Sequence, residues 1–411
     1  MRLYTHTHTS SFNEQIKSEK AITLVALVVT IIVLIILAGV SISLVIGNNG
    51  IMQKAAKGRE DYTGAAINEQ LDLNKIEDYI EDNTSNKSEV EKYRKSGKYF
   101  KSPTTIKDEN ENEIKIPQGF KIAQDSGLNV TEGIVIEDND IIEGIGNNRG
   151  NQYVWVPVGN GIKKNDGTTV NIALGRYEFA TNGTPTLKQD AVNYTQEVII
   201  NSYYKEMVTS RVGEVDSSNH LNDTNTTALN LKGFVDSVKA NGGYYIARYE
   251  ASYGTDGKAN SKVSNTYATS TPNKEGQLWN CITQINAATA SRNLYNTVNS
   301  DLINSYAWDT AIVYIQNFSG DTDYSKQDSL NKSLANTGVN NDEKCKINDM
   351  SSNIREWTTE YCTNVTSSNP TPCTSRGGGY NGNNYTGSRI QQRCYVQPRR
   401  HFFQECTLYV T

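Results

Sequence analysis

The hydrophobic pattern divides the chain into two unequal parts. From Ala21 to Ile46 the sequence reads AITLVALVVTIIVLIILAGVSISLVI, with no Asp, Glu, Lys, Arg or His. As a helix this run is roughly 39 Å long, against about 30 Å for the apolar core of a bilayer. It is apolar on every side, whereas a helix on a protein core keeps one polar stripe. The pattern predicts a membrane-spanning helix. Beyond it, apolar residues come in short runs between long polar stretches.

Those runs predict small elements. Gly47-Asn48-Asn49-Gly50 ends or bends the membrane helix, since Gly and Asn accept left-handed backbone. Ala65, Ile67, Leu71, Leu73 and Ile76 give a weak helical period, broken at Asn83 to Lys87. Ser88 is placed to cap a second, charged helix from Glu89 to Lys95. The expectation over 47–100 is a stalk, with a flexible linker as the other reading. Strand spacing follows in Lys115 to Ala123, Gly133 to Ile136 and Tyr153 to Val158. Residues 101–150 are expected to form a small strand-rich connector. Glu137, Asp138, Asp140 and Glu143 form an acidic hairpin tip that is either a structural calcium site or a solvated turn. Residues 159–228 read as irregular insertions. An amphipathic helix is predicted from Leu229 to Ala240, then a strand from Tyr244 to Tyr249. Another helix is predicted from about Ile303 to Asn317, with Trp308, Ala311, Ile312 and Ile315 on one face. Residues 318–348 are loop-rich with room for a short helix.

Charge fixes an expected orientation. Lys17 and Lys20 precede the apolar run, so residues 1–20 are a cytoplasmic leader and residues 51–411 are exported to the cell surface. The net charge of −5 and pI of about 5.6 argue against nucleic-acid binding, which needs a basic face. Mean hydropathy is −0.57 even with the membrane helix included, so the exported part is strongly polar. Tyr outnumbers Phe by 24 to 8, a bias that suits wet binding surfaces. All six Cys lie at or beyond Cys281, and an even count in an exported region favours disulfides over metal. Cys362 and Cys373 flank a short Pro-containing loop and are the expected pair, worth about 3 kcal/mol by chain entropy.

Two resemblances sharpen this picture. Lys20-Ala21-Ile22-Thr23-Leu24-Val25-Ala26 resembles the N-terminus of type IV prepilins and pseudopilins. The resemblance implies cleavage between Ala21 and Ile22 by a prepilin peptidase, with pilus assembly proteins as further partners. The sequence departs from that family at Ala21, where Gly is usual. It departs again at Ala26, where the family has the Glu used in assembly. An uncleaved signal anchor is the other reading.

The second resemblance covers residues 151–411. Tyr153-Val154-Trp155-Val156-Pro157, Gly242 to Glu250 (GGYYIARYE), Tyr306 to Ala311 (YAWDTA), Asn348 to Thr358 (NDMSSNIREWT) and Ser375 to Tyr380 (SRGGGY) occur in order. These blocks resemble the formylglycine-generating, sulfatase-modifying-factor family, whose fold is a variant of the C-type lectin fold. The resemblance implies an α+β architecture: N-terminal transmembrane helix (21–46), helical stalk, and C-type lectin-like, formylglycine-generating-enzyme-like body. Within the blocks, Trp357 is large enough to anchor a core, and Arg376 can grip a carboxylate such as Glu356 from two sides.

The family's oxidases hold copper on two Cys just after the Gly-Gly block. Residues 379–389 here contain no Cys, so oxidase chemistry is not expected. The same fold serves as a binding scaffold in the variable proteins of diversity-generating retroelements. That likeness implies a binding face in the segment after Arg376-Gly377-Gly378. Tyr380, Asn381, Asn383, Asn384, Tyr385, Ser388, Arg389, Gln391, Gln392, Arg393, Tyr395 and Gln397 supply the rigid rings and adaptable hydrogen bonds of a paratope. A polar loop of no special function is the other reading. The expected function is an adhesin-like surface protein binding an extracellular protein or glycan, without cofactor. The alternatives are a formylglycine-generating-type oxidase and a minor pilin or pseudopilin capping a filament.

Overall fold

The structure, a computed structural model, describes residues 24–41, 87–138, 150–191, 231–254 and most of 257–362. It also describes 373–378, four short strands between Val198 and Tyr409, and isolated positions from 54 to 76. The chain separates into two compact units, Met1–Ser85 and Asn86–Thr411.

The first unit contains the helix Leu24–Ser41. Its mean hydropathy is 3.1 and none of it is buried. Its Thr30 hydroxyl donates to the carbonyls of Ala26 and Leu27, at 2.9 and 2.8 Å, so this polar group is satisfied within the helix. That matters in lipid, where no water can take its place. By length and composition this helix is a membrane anchor or a signal sequence.

The second unit mixes helices and strands around one large apolar core and one smaller one. It opens with the helix Glu89–Ser96. Ser88 caps it as its sequence foretells: the Ser88 hydroxyl accepts from the Glu91 amide at 3.2 Å. Gly97 closes it in the left-handed conformation. Val90 is fully buried and Tyr93 packs on Phe100, so this helix belongs to the large core of the second unit.

The main sheet is antiparallel and six-stranded. Its spatial order is Asn299–Leu302, Cys406–Tyr409, Gly243–Ala247, Gln152–Pro157, Val135–Asp138, Phe120–Ile122. Two of these strands, Phe120–Ile122 and Val135–Asp138, come from the expected connector, whereas Thr104–Lys107 and Glu113–Ile116 pair in a two-stranded sheet of their own. Gly243 has no side chain because the Trp155 ring lies over it. A Cβ there would stand 2.5 Å from that ring and 2.6 Å from the Val156 carbonyl oxygen.

The helix Ser305–Phe318 is buried on nearly all sides, not on one face alone. Its apolar residues meet the core, and its polar Ser305, Asp309, Thr310 and Gln316 are buried too, each with a partner. Asn304 caps it, accepting from the Ala307 amide at 2.9 Å.

Residues 159–191 hold two hairpins where the sequence suggests irregular insertions. They pair Gly159–Lys163 with Thr169–Ile172, and Gly175–Phe179 with Pro185–Asp190. Their turns use Gly167 and Gly183 at positive φ, +79° and +85°. The strands are polar on the outside, which hides the alternation that would have marked them.

Candidate functional site

A second sheet carries the base of the candidate site. Its centre is the strand Glu356–Cys362. On one side lies Cys373–Arg376, antiparallel, with Glu356 opposite Arg376. On the other side Phe403–Gln404 runs parallel, with Phe403 opposite the same Glu356. The chain thus leaves this sheet after Arg376 and rejoins it at Phe403, two strand spacings away, or about 10 Å. Every residue expected to bind a ligand, Tyr380 to Gln397, falls between those points and outside the described residues. The expected cleavage site, Ala21 and Ile22, and two of the acidic tip residues, Asp140 and Glu143, are likewise outside the described residues.

Beneath the exit lies a closed ring of four charges, each fully buried. Arg176 Nε donates to Asp309 Oδ2 at 3.1 Å, and Arg176 Nη2 donates to Glu360 Oε1. Arg376 Nη1 donates to Asp309 Oδ1, and Arg376 Nε donates to Glu360 Oε2 at 2.9 Å. Ser305 Oγ accepts a further bond from Arg176 at 2.9 Å, and the Tyr177 amide donates to Asp309 Oδ2 at 3.0 Å. Two cations and two anions alternate, so the ring is neutral. Burial works against the charge of Arg376, but Asp309 and Glu360 outweigh it and raise the guanidinium pKa. The expected partner of Arg376, Glu356, is replaced by Asp309 and Glu360. Arg176 has no signal in the sequence, because it sits in the hairpin that reads as an insertion.

Glu356 instead belongs to a neighbouring acidic cluster with Glu250 and Asp349. Burial first, then the charge of Asp349, push the Glu250 carboxyl well above the usual range. Hydrogen bonds from Asn353 and the Ile354 amide oppose that shift. Asp349, at φ +63°, accepts from the Thr337 hydroxyl at 3.0 Å and the Gly338 amide at 2.9 Å. Asp342 accepts from the Ser351 amide and hydroxyl and from the Tyr324 hydroxyl. The Asp349-to-Trp357 block is therefore a packed polar core.

Trp357 is 5 % exposed in the smaller core, with Trp279, Ile282 and Ile354. Its Nε1 donates to the Ile282 carbonyl at 2.8 Å. Gly377 and Gly378 follow Arg376 and fit tightly. A Cβ on Gly377 would stand 2.2 Å from Glu356 Oε2, and one on Gly378 would stand 2.1 Å from the Ser351 carbonyl oxygen.

Cys362 and Cys373 are on paired strands, with Tyr361 rather than Cys362 directly opposite Cys373. Their side chains are outside the described residues. Cys345 is a free, buried thiol, pushed up to about 12 by burial. Among the described residues no three His, Cys, Asp or Glu side chains stand close enough to hold a metal ion.

The acidic tip is not a solvated turn at Asp138, which is 1 % exposed. Its carboxylate accepts from the Gly150 amide, from the Asn151 amide and side chain at 2.8 and 2.7 Å, and from the Tyr295 hydroxyl. Those donors occupy it and tie the end of the strand Val135–Asp138 to Gly150 and Asn151. Glu137 points elsewhere, to Lys121 at 2.9 Å and Gln152 at 2.8 Å.

Comparison with known protein families, with characterised proteins and with solved structures returns no match to this chain.

Proposed function

We propose that this chain is a membrane-anchored display protein whose second unit binds an extracellular protein or glycan through residues 380–397. The body is read as a C-type lectin-like, formylglycine-generating-enzyme-like fold. One observation carries the reading: Arg376 and Phe403 both pair with Glu356, so the polar segment between them starts and ends at one place on the second sheet. A segment rich in Tyr, Asn, Gln and Arg that leaves the sheet beside a buried, charge-paired ring supports the reading of a binding loop on a scaffold. The anchor holds the body at the cell surface, with its N-terminus in the cytoplasm.

The test is a panel of glycans and surface proteins screened against the full chain in nanodiscs. Tyr385→Ala with Arg389→Ala should abolish capture of whatever binds, with the melting temperature nearly unchanged. A large fall in melting temperature would place those side chains in a core and overturn the reading. So would a wild-type chain that captures nothing.

A further inference from the structure

We infer that Lys92, Lys95, Lys98 and Lys101, a lysine row at the start of the second unit, form a docking face for the anionic headgroups of a lipid bilayer. This rests on the reading of Leu24–Ser41 as a membrane anchor, and adds a second contact between the chain and lipid.

Charge is distributed unevenly along the chain. Residues 87–107 hold seven Lys and Arg against two Glu, an excess of five positive charges, whereas the whole chain carries −5. Two of the seven are engaged in the fold. Arg94 turns inward and donates to the Ser126 carbonyl at 2.8 Å, and Lys107 pairs with Glu111 at 2.8 Å. Lys92, Lys95, Lys98 and Lys101 follow one another at three-residue intervals. On the helix Glu89–Ser96, Val90 is buried and Tyr93 packs on Phe100, so with 3.6 residues per turn Lys92 and Lys95 fall on the opposite side. Lys98 and Lys101 lie on the loop to the strand Thr104–Lys107, both exposed, as is Lys95. Of the two carboxylates, Glu89 accepts from the Lys107 amide at 2.7 Å. Glu91 pairs with Lys95 at 3.1 Å, an exposed contact of the kind that is weak in water. The row stays net positive.

Three residues of backbone span at most about 11 Å. That is comparable with the screening length of about 8–10 Å at physiological salt, so the fields of neighbouring lysines add. Such a row attracts an anionic surface. The occupant follows from the same chain, because an anchor keeps the row near a bilayer at high effective concentration. Tyr99, half-buried between Lys98 and Lys101, is a residue type that suits the headgroup layer. The helix that carries Lys92 and Lys95 packs on Phe120–Ile122, at the edge of the main sheet. The candidate binding segment leaves from the second sheet, so the two contacts are carried by different sheets.

The test uses the full chain in nanodiscs of phosphatidylcholine, or of an equal mixture with phosphatidylglycerol. A fluorophore is placed by a non-canonical residue at the exposed Ser102, and nitroxides on the lipid headgroups quench it at short range. Quenching should appear in the anionic discs and not in the neutral ones. Raising the salt to about 1 M, where the screening length falls to about 3 Å, should abolish it. Each Lys near an anionic surface is worth about fivefold, so Lys95→Gln, Lys98→Gln and Lys101→Gln together should lower the docked-to-undocked ratio about a hundredfold. Lys188→Gln, Lys232→Gln and Lys239→Gln together remove the same charge from exposed positions elsewhere and should leave the quenching unchanged. Equal quenching in the two lipids, or in the two triple variants, would overturn the inference. So would a row that binds soluble heparin through the three lysines but is never quenched, since its occupant would then not be a membrane. A chain that does not stay with the nanodiscs would overturn the anchor reading. Pelleting of that free chain with anionic and not neutral vesicles would still uphold the lysine face, and no pelleting would overturn it too.

Discussion

Arg376 and Phe403 face the same residue, Glu356, from opposite sides of one strand. The antiparallel partner carries the chain out and the parallel partner brings it back. Glu356 itself is fully buried, as are Arg376 opposite it and the neighbouring Glu250. The ring of Arg176, Asp309, Arg376 and Glu360 under this point is thus buried and paired charge for charge. Such a ring is sensitive to the removal of a single charge, which makes it testable.

Arg376→Met should destabilise the second unit by about 3–5 kcal/mol, because Asp309 and Glu360 are left buried with half their countercharge. Arg376→Met combined with Glu360→Gln restores neutrality and should recover part of that loss. Denaturant unfolding of the four proteins of this cycle measures the coupling. Additive losses would show that the ring does not act as a unit.

Trp357→Ala should cost about 3–5 kcal/mol, as a large side chain leaves the smaller core. Trp357→Phe should cost less, since the ring volume is mostly kept. It still strands the Ile282 carbonyl, which loses its bond from Nε1. Thermal unfolding of the two variants checks the order. If Phe were as damaging as Ala, the hydrogen bond and not the packing would dominate there.

Leu34→Lys puts a charge near the middle of Leu24–Ser41, where Leu34 is fully surrounded by apolar neighbours along the chain. At a helix centre in lipid this costs about 2.5–3.5 kcal/mol. The variant should shift from the membrane to the soluble fraction on cell fractionation. A wild-type chain already found in the soluble fraction would point to a removed signal sequence instead of an anchor.

Periodicity made the local elements legible and left the long-range polar contacts hidden. Ser88 announces its helix, and the short apolar run Tyr153-Val154-Trp155-Val156 announces a strand, which is buried at every one of those positions. Trp357 reads as a core residue because its size leaves few other places for it. Arg176 is invisible, since its hairpin is polar outside and its partners lie at Asp309 and Glu360, far along the chain. Asp138 misleads for the opposite reason. It stands among acidic neighbours that suggest water, yet Tyr295 and Asn151 reach it from elsewhere in the fold. Pairing of charges across such distances has no period to detect.

Asp138 also yields a pH dependence with a definite sign. Burial raises its carboxyl from 3.8 to about 6, against the hydrogen bonds of Tyr295, Asn151 and Gly150. The native state therefore binds the proton more readily than the unfolded chain does. Its contribution is full below the unfolded value of 3.8 and fades as pH rises through about 6. Acidification from pH 7 to 4 should then stabilise the fold through this group by about 2–2.5 kcal/mol. Glu250 and Asp342 are raised by burial as well, so the total pH profile is not the readout. Asp138→Asn removes one titrating group, and the difference between wild type and variant isolates it. That difference, from urea unfolding at pH 4, 5, 6 and 7, should grow in favour of wild type as pH falls. A proton on Asp138 has somewhere to go: Tyr295 can turn to accept it and donate instead to Tyr153, whose hydroxyl stands 3.0 Å away. A flat difference across that range would mean the four donors keep the carboxylate ionised despite its burial.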